Sequence, residues 1–508
     1  MIGDWVLGIG GWGKVDGMLH IFVAVIENGF DVLVGGRPRS CRGGAAGPFV
    51  PTNSHNGRYY VYFAIMSTTN KRITKRRDEL VNNIEGFLQE MIELLEPDMQ
   101  EPVGRGRPRV MPAMCLWAGL LVCVLRGMGS QLAIWRQLAL TSLWDYPRFP
   151  ITDQAVYKRL EQGGTDDLEQ LFTQVSRVMR TRLEPYAQQD VAPFATEVVA
   201  IDTTTLDPVA RKLPVLRDVP RGDRRLLPGK LAGVFDIRYQ QWRHVQHIVN
   251  PDENDKVTAR SLLEHVQPGA LVLADLGYFG FEWFDDLTDG GYLWLSRLRK
   301  KTSFEVLHTY YKDGDTFDGI VFLGAYRADQ AKHAVRLVTY RKGRYVYRYI
   351  TNVLNPHEFT LQDIAILYAR RWDFEMAVSL IKRELGLHLF WSAKTVVILQ
   401  QVWAVLIIAQ ILHALQLEIA GRAGVDPFDV SLRLMVEYIP SWSRDNTDVM
   451  AIIIEHGRFG GFIRESRRIR PKTPDIDPAS IVRLPTDLAL ERTPRYARRK
   501  CGSRLKVN

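Results

Sequence analysis

A chain of 508 residues, 46% of them hydrophobic, can bury a large core, and its length suggests roughly two to four domains. Its 66 Lys and Arg against 57 Asp and Glu leave a formal charge of +9, which favours an anionic partner without naming one. Cys41, Cys115, Cys123 and Cys501 have neither metal-ligand spacing nor the density of a disulfide scaffold, which excludes a small disulfide-built secreted fold and points to a reducing compartment.

Residues 1–65, with GIGGWGKVDG and VGGRPRSCRGGAAGPFVPTNSHNG, are rich in Gly and Pro and carry no sustained period. They read as either an over-extended reading frame, with Met66 the initiator, or a disordered extension. MLHIFVAVIENG lacks the basic flank and cleavage site of a signal peptide. From Arg72 to about Pro185 the pattern is helical, beginning with the amphipathic run that ends in IEGFLQEMIELLEP. Gly104–Arg109, GRGRPR, is a basic linker that either follows phosphates or is merely solvated. Met111–Leu125 is apolar but shorter than the roughly 20 residues of a membrane span, and Arg126 closes it. ITDQAVYKRLEQGG offers Thr152 and Asp153 as caps, apolar Ala155, Val156 and Leu160, and basic Lys158 and Arg159. It suits the second helix of a helix-turn-helix-like DNA-binding unit, or any short capped surface helix.

Between Glu197 and Asn250 the pattern changes to strands: EVVAID ends in Asp202, and GKLAGVFDIRY and WRHVQHIVN follow, rich in Val, Ile and aromatics. DKVTARSLLEHV then reads as a helix, ALVLADLGYFG as a buried strand ending in Asp275, Phe281–Asp289 as a helix and YLWLSRL as a strand. This order predicts a mixed sheet with acidic residues closing two of its most buried strands, where an open α/β sheet places its site. Either aspartate alone is an ordinary turn or cap residue. Side by side they would raise each other's pKa unless a divalent cation such as Mg²⁺ joined them.

YARRWDFEMAVSLIK sets Tyr368, Arg371, Glu375 and Lys382 three, four and seven residues apart. At about 100° per residue these fall at roughly 0°, 300°, 340° and 320°, one narrow stripe of a helix, and Glu375 becomes the natural third carboxylate. Thr395–Leu417 is long enough to span a membrane but carries Gln400, Gln401, Gln410 and His413, so it too reads as a buried helix. RESRRIRPK and the tail with Arg495, Arg498, Arg499, Lys500, Arg504 and Lys506 are basic segments suited to sequence-independent phosphate contacts.

AIDTTTL, LADLGYF and YARRWDFEMAVSLIK resemble the three blocks of the DDE transposases of the fourth insertion-sequence family, whose Tyr-Arg-Glu-Lys signature is matched at every position. The resemblance covers roughly Ile201–Leu417. Thr203 stands where such enzymes often carry a small residue, and Leu276 where many carry a polar one; neither change touches a ligand.

The resemblance implies an α/β fold, a ribonuclease-H-like mixed sheet with a β-rich insertion, preceded by an all-helical DNA-binding region. The expected divisions are 66–190 for that helical region, 191–298 and 357–420 for the two parts of the catalytic core, 299–356 for the insertion, and 421–508 for a C-terminal region with a basic tail. Within the insertion, FEVLHTYY, GIVFLGAY and AVRLVTYRKGRYVYRYITNV read as strands. Their face of Tyr340, Arg341, Lys342, Arg344, Tyr345, Tyr347 and Arg348 suits DNA, or is a solvated hairpin with aromatics packed across it. The resemblance further implies metal-dependent cleavage of transposon ends and cut-and-paste strand transfer. Asp202, Asp275 and Glu375 would hold two Mg²⁺ ions, for which Mn²⁺ may substitute, and Tyr368, Arg371 and Lys382 would grip phosphates. Double-stranded DNA would be the partner of a homodimer without a membrane, in the bacterial cytoplasm at the nucleoid. Either Trp294 or an insertion tyrosine would hold a displaced base. A nuclease that cuts without joining and a silent DNA-binding derivative are the alternatives.

Overall fold

Among the described residues the chain opens with five helices: α1 (Ile84–Leu95), α2 (Ala113–Leu125), α3 (Gln131–Ala139), α4 (Asp153–Gln162) and α5 (Asp166–Leu183). They belong to a computed structural model that describes residues 83–95, 110–206, 229–250, 253–325, 329–387, 389–444, 448–466, 468 and 470–496. The expectations for residues 1–65, for the linker at Gly104–Arg109 and for the basic tail beyond residue 496 lie outside them. Ser130 and Thr152 cap α3 and α4 through their side-chain oxygens. Gly163, Gly164 and Thr165 alone separate α4 from α5, whereas α3 and α4 are joined by a long connection. The tight turn therefore follows α4 and does not precede it. This corrects the expectation that ITDQAVYKRLEQGG is the second member of a helix-turn-helix-like pair.

The strands follow the expected order: β1 (Val198–Thr205), β2 (Lys230–Asp236), β3 (Gln241–Ile248), helix α6 (Asp255–Leu263), β4 (Leu271–Ala274), helix α7 (Phe281–Asp289) and β5 (Leu293–Arg297). Then come β6 (Phe304–Asp313), β7 (Thr316–Leu323), β8 (Val335–Lys342) and β9 (Tyr345–Thr351). Among the described residues they form one nine-stranded sheet in the order β3-β2-β1-β4-β5-β9-β8-β7-β6. β1, β4 and β5 are parallel, as the intervening helices require, and the rest pair antiparallel. The insertion thus continues the core sheet through β9 on β5. A two-residue loop joins β8 to β9, with Gly343 at φ +56°, a conformation glycine adopts without strain.

Alternation along the central strands divides the core. Val198 and Ala200 of β1, with Leu271 and Leu273 of β4, face a cluster shared with α1–α5. Val199 and Ile201, with Val272 and Ala274, face α6 and α7. The chain then runs through α8 (Leu361–Arg370), α9 (Trp372–Ser379), a π-helical turn at Leu380–Glu384, α10 (Thr395–Ala423), α11 (Leu432–Arg444) and α12 (Val449–His456).

α10 is long and apolar enough to cross a membrane, yet every residue from Gln400 to Ala420 is buried within the protein. Its glutamines explain how an apolar helix serves as a central pillar. The Gln410 amide accepts from the Trp242 N–H (2.8 Å) and donates to the Trp242 carbonyl (2.9 Å), so it pairs with edge strand β3 as another strand would. Gln400 donates to the carbonyls of Leu160, Gly163 and Gly164, and Gln401 and Gln416 donate to those of Leu389 and Val430. Each removes a buried backbone acceptor from the unpaired state.

His413 lies on the same helix, wholly buried, 5.7 Å edge-on from Phe235, and burial holds its imidazole down to about 4. The native state therefore refuses a proton that an unfolded histidine takes at about 6.5. The stability this confers is complete above pH 6.5 and is lost as pH falls toward 4, about 2 kcal/mol by pH 5. His413→Leu is expected to flatten the acid limb of the melting temperature between pH 6.5 and pH 4.5. An acid limb as steep as that of the wild type would show that other groups control it.

Candidate active site

β1 and β4 are neighbours in parallel register, with Ile201 opposite Ala274, so Asp202 and Asp275 emerge side by side at the same end of the sheet. Glu375 comes from the first turn of α9, which packs over β1. α9 is held from behind: Phe374 meets Trp242 edge-on at 5.0 Å, and buried Asp373 accepts from Arg370 (2.6 Å), Gln240 (3.0 Å) and Arg468 (2.5 Å). That anchoring leaves Glu375 and Arg371, one helical turn apart, facing the aspartates.

The three carboxylates meet around one guanidinium. Arg371 donates through Nη1 to Asp202 at 3.3 Å and through Nη2 to Glu375 at 2.9 Å, and its Nε lies 3.8 Å from Asp275. Arg371 is buried while the carboxylates remain partly open to solvent. Burial pushes the Asp202 carboxyl up to about 6, and the charges of Asp275 and Glu375 push the same way. The Thr203 N–H, 2.8 Å from Asp202 Oδ1, and Arg371 act against it.

Residues 196–411 match the family described as the transposase DDE domain. Over that segment the chain is similar to a transposase DDE domain. A cryo-EM structure of the piggyBac transposase synaptic complex with hairpin DNA is similar to 80% of this chain and 85% of its own, at 11% identity and a TM-score of 0.35. No curated protein matches the sequence.

The fold brings Tyr368 and Lys382 to the same place. The signature spans α8, α9 and the π-helical turn at Leu380–Glu384, with Arg371 between the two helices at helical backbone angles (φ −55°, ψ −31°), so it is not the single regular α-helix that the spacing predicts. Lys382 nevertheless reaches the end of β1, donating to Thr204 Oγ1 and the Thr205 carbonyl at 2.6 Å each, and burial lowers its ammonium to about 8. Tyr368 is buried 5.1 Å from the Tyr349 ring, and burial raises its hydroxyl to about 12. The ring row continues from Tyr349 to Tyr340 and Tyr347, which stack at 5.1 Å.

Other expected contacts lie away from the carboxylates. Arg159 donates to the Met111 carbonyl just before α2, a structural tie and not an open DNA contact, while Lys158 is exposed. Arg341 pairs with exposed Asp315 at 2.6 Å, and Arg344 lies over the Tyr345 ring at the tip of the β8–β9 hairpin. Trp294 is wholly buried, stacked on Phe284 at 4.2 Å with its Nε1 donating to Thr288. It has no face left for a displaced base.

Several contacts at the site were not expected from the sequence. Thr203, a departure from the family pattern, donates its hydroxyl to Asp255 (3.0 Å), which also accepts from buried Lys230 (2.6 Å). Arg297 closes parallel strand β5 beside the tyrosine row, and Arg299 donates to the Leu276 carbonyl next to Asp275 (3.2 Å). With Lys300 and Lys301 they form a basic loop at the carboxylate end of the sheet. Applying the strand-end rule to Arg as well as Asp would have found it.

Proposed function

We propose that the chain is a DNA transposase of the fourth insertion-sequence family, cutting transposon ends and joining them to target DNA by a divalent-cation-dependent, cut-and-paste route. The observation that carries this is the meeting of Asp202, Asp275 and Glu375 around Arg371 within the matched DDE domain. Three hard carboxylate oxygen donors on one solvent-facing side suit two Mg²⁺ ions, or Mn²⁺ in their place. Such ions supply activation of water, later of a DNA 3′-hydroxyl, and stabilisation of the leaving oxygen.

The chain's own residues position what reacts. The Thr203 N–H fixes one oxygen of Asp202. Arg371, Lys382 and Tyr368 bind phosphates beside the scissile bond, and the basic loop Arg297–Lys301 extends that contact. The partner is double-stranded DNA, bound by a homodimer at the bacterial nucleoid. Incubating the full chain with matched terminal repeats and a target plasmid is expected to give joined products that require Mg²⁺ or Mn²⁺. Cleavage without any joining would instead identify a nuclease.

A further inference from the structure

Arg371 stands where a cation belongs. Its guanidinium contacts carboxylates from β1, from the loop after β4 and from α9, and its buried Nε makes no hydrogen bond, since the approach to Asp275 is an ion pair only. Among the described residues, no three His, Cys, Asp or Glu side chains are placed to close on one ion.

A site built for two divalent cations and filled by one monovalent side chain is in competition with itself. We propose that Arg371 is an internal counter-cation. It holds Asp202, Asp275 and Glu375 together in the free protein, opposes metal entry, and gives way when a DNA phosphate offers its guanidinium another anion.

The geometry permits the exchange. Arg371 lies at the junction of α8 and α9, and the exchange would take a rotation of its side chain. The carboxylates stay partly open, so an ion reaches them without local unfolding. By linkage, whatever draws Arg371 away tightens metal binding, and metal binding frees Arg371 for phosphate by the same factor. The free protein would then hold its ions weakly and load them fully only on DNA.

This inference rests on the DDE reading, and one titration separates the two. Mn²⁺ binding to the full chain without DNA is measured by calorimetry for wild type, Arg371→Gln and Asp202→Asn, together with thermal unfolding in EDTA. Arg371→Gln is expected to bind Mn²⁺ at least tenfold more tightly than wild type. It should also melt lower in EDTA, where three carboxylates face one another without a cation, and recover as Mn²⁺ is added. Asp202→Asn is expected to lose Mn²⁺ binding.

Equal or weaker Mn²⁺ affinity in Arg371→Gln, with wild type binding normally, would overturn the counter-cation role and leave the DDE reading intact. Mn²⁺ binding that ignores Asp202→Asn would overturn the DDE reading itself. If Arg371→Gln does not fold, Arg371→Lys decides: lysine keeps one charge but cannot span three carboxylates, so its affinity should exceed that of wild type. An affinity no higher than wild type again rejects the role.

Discussion

Glu375→Gln is expected to reduce Mg²⁺-dependent cleavage of transposon ends to below a few per cent of wild type while leaving binding to those ends largely intact. The substitution keeps the size of the side chain and one acceptor oxygen but removes the charge from one of three carboxylates that meet at a single point. Glu375 is half-buried on the side of α9 that faces the aspartates, whereas the packing of the helix depends on Phe374 and Asp373, so the fold should largely survive the change. Gel-shift and cleavage assays on the same preparation check both halves. Cleavage above a few per cent of wild type would sink the assignment of Glu375, and a parallel collapse of binding would mean that the helix itself had moved.

A second large effect should come from a residue far from the carboxylates. Arg336, wholly buried on β8, donates through Nε and Nη2 to Asp318 of β7 at 2.7 and 2.6 Å and through Nη1 to the carbonyls of Phe359 and Asn355. It therefore ties the β-rich insertion to the segment that leads into α8. Arg336→Met leaves Asp318 charged, buried and unpaired, a change worth about 3–5 kcal/mol. A large fall in melting temperature is expected. Adding Asp318→Leu should restore most of it, because the cost lies in the orphaned charge and not in the lost attraction. A double variant as unstable as the single one would contradict that account.

Much of the site was legible because carboxylates at the ends of buried strands must break strong patterns. Asp202 and Asp275 interrupt apolar runs at strand ends, and Glu375 sits in a fixed spacing with Tyr368, Arg371 and Lys382. The strand order through β5 was legible for a related reason: strands covered on both faces read as continuous apolar runs, and helices separate them.

What sequence could not show is which partner wins when several are available. Arg371 was expected on phosphate; in the free protein it pairs with the carboxylates, the nearest anions. Trp294 looked available to a base, but as the alternate residue of a buried strand it faces α7. Arg159 is drawn to a backbone carbonyl that only the folded chain brings near. The continuation of the sheet from β5 into β9 was also hidden, since strand patterns name strands and not their neighbours.

The glutamines of α10 bear on how the molecule reaches its native state. Gln400 closes on Leu160 across 240 residues and Gln410 on Trp242 across 168. These contacts satisfy backbone groups that are exposed until both partners arrive, and the search for partners so distant in sequence slows folding. The sheet edge at β3 is therefore capped late, after α10 has been made and docked. Until then that edge is open to pairing with another chain, and crowded refolding should lose material there first, to association and not to misfolding of the catalytic strands.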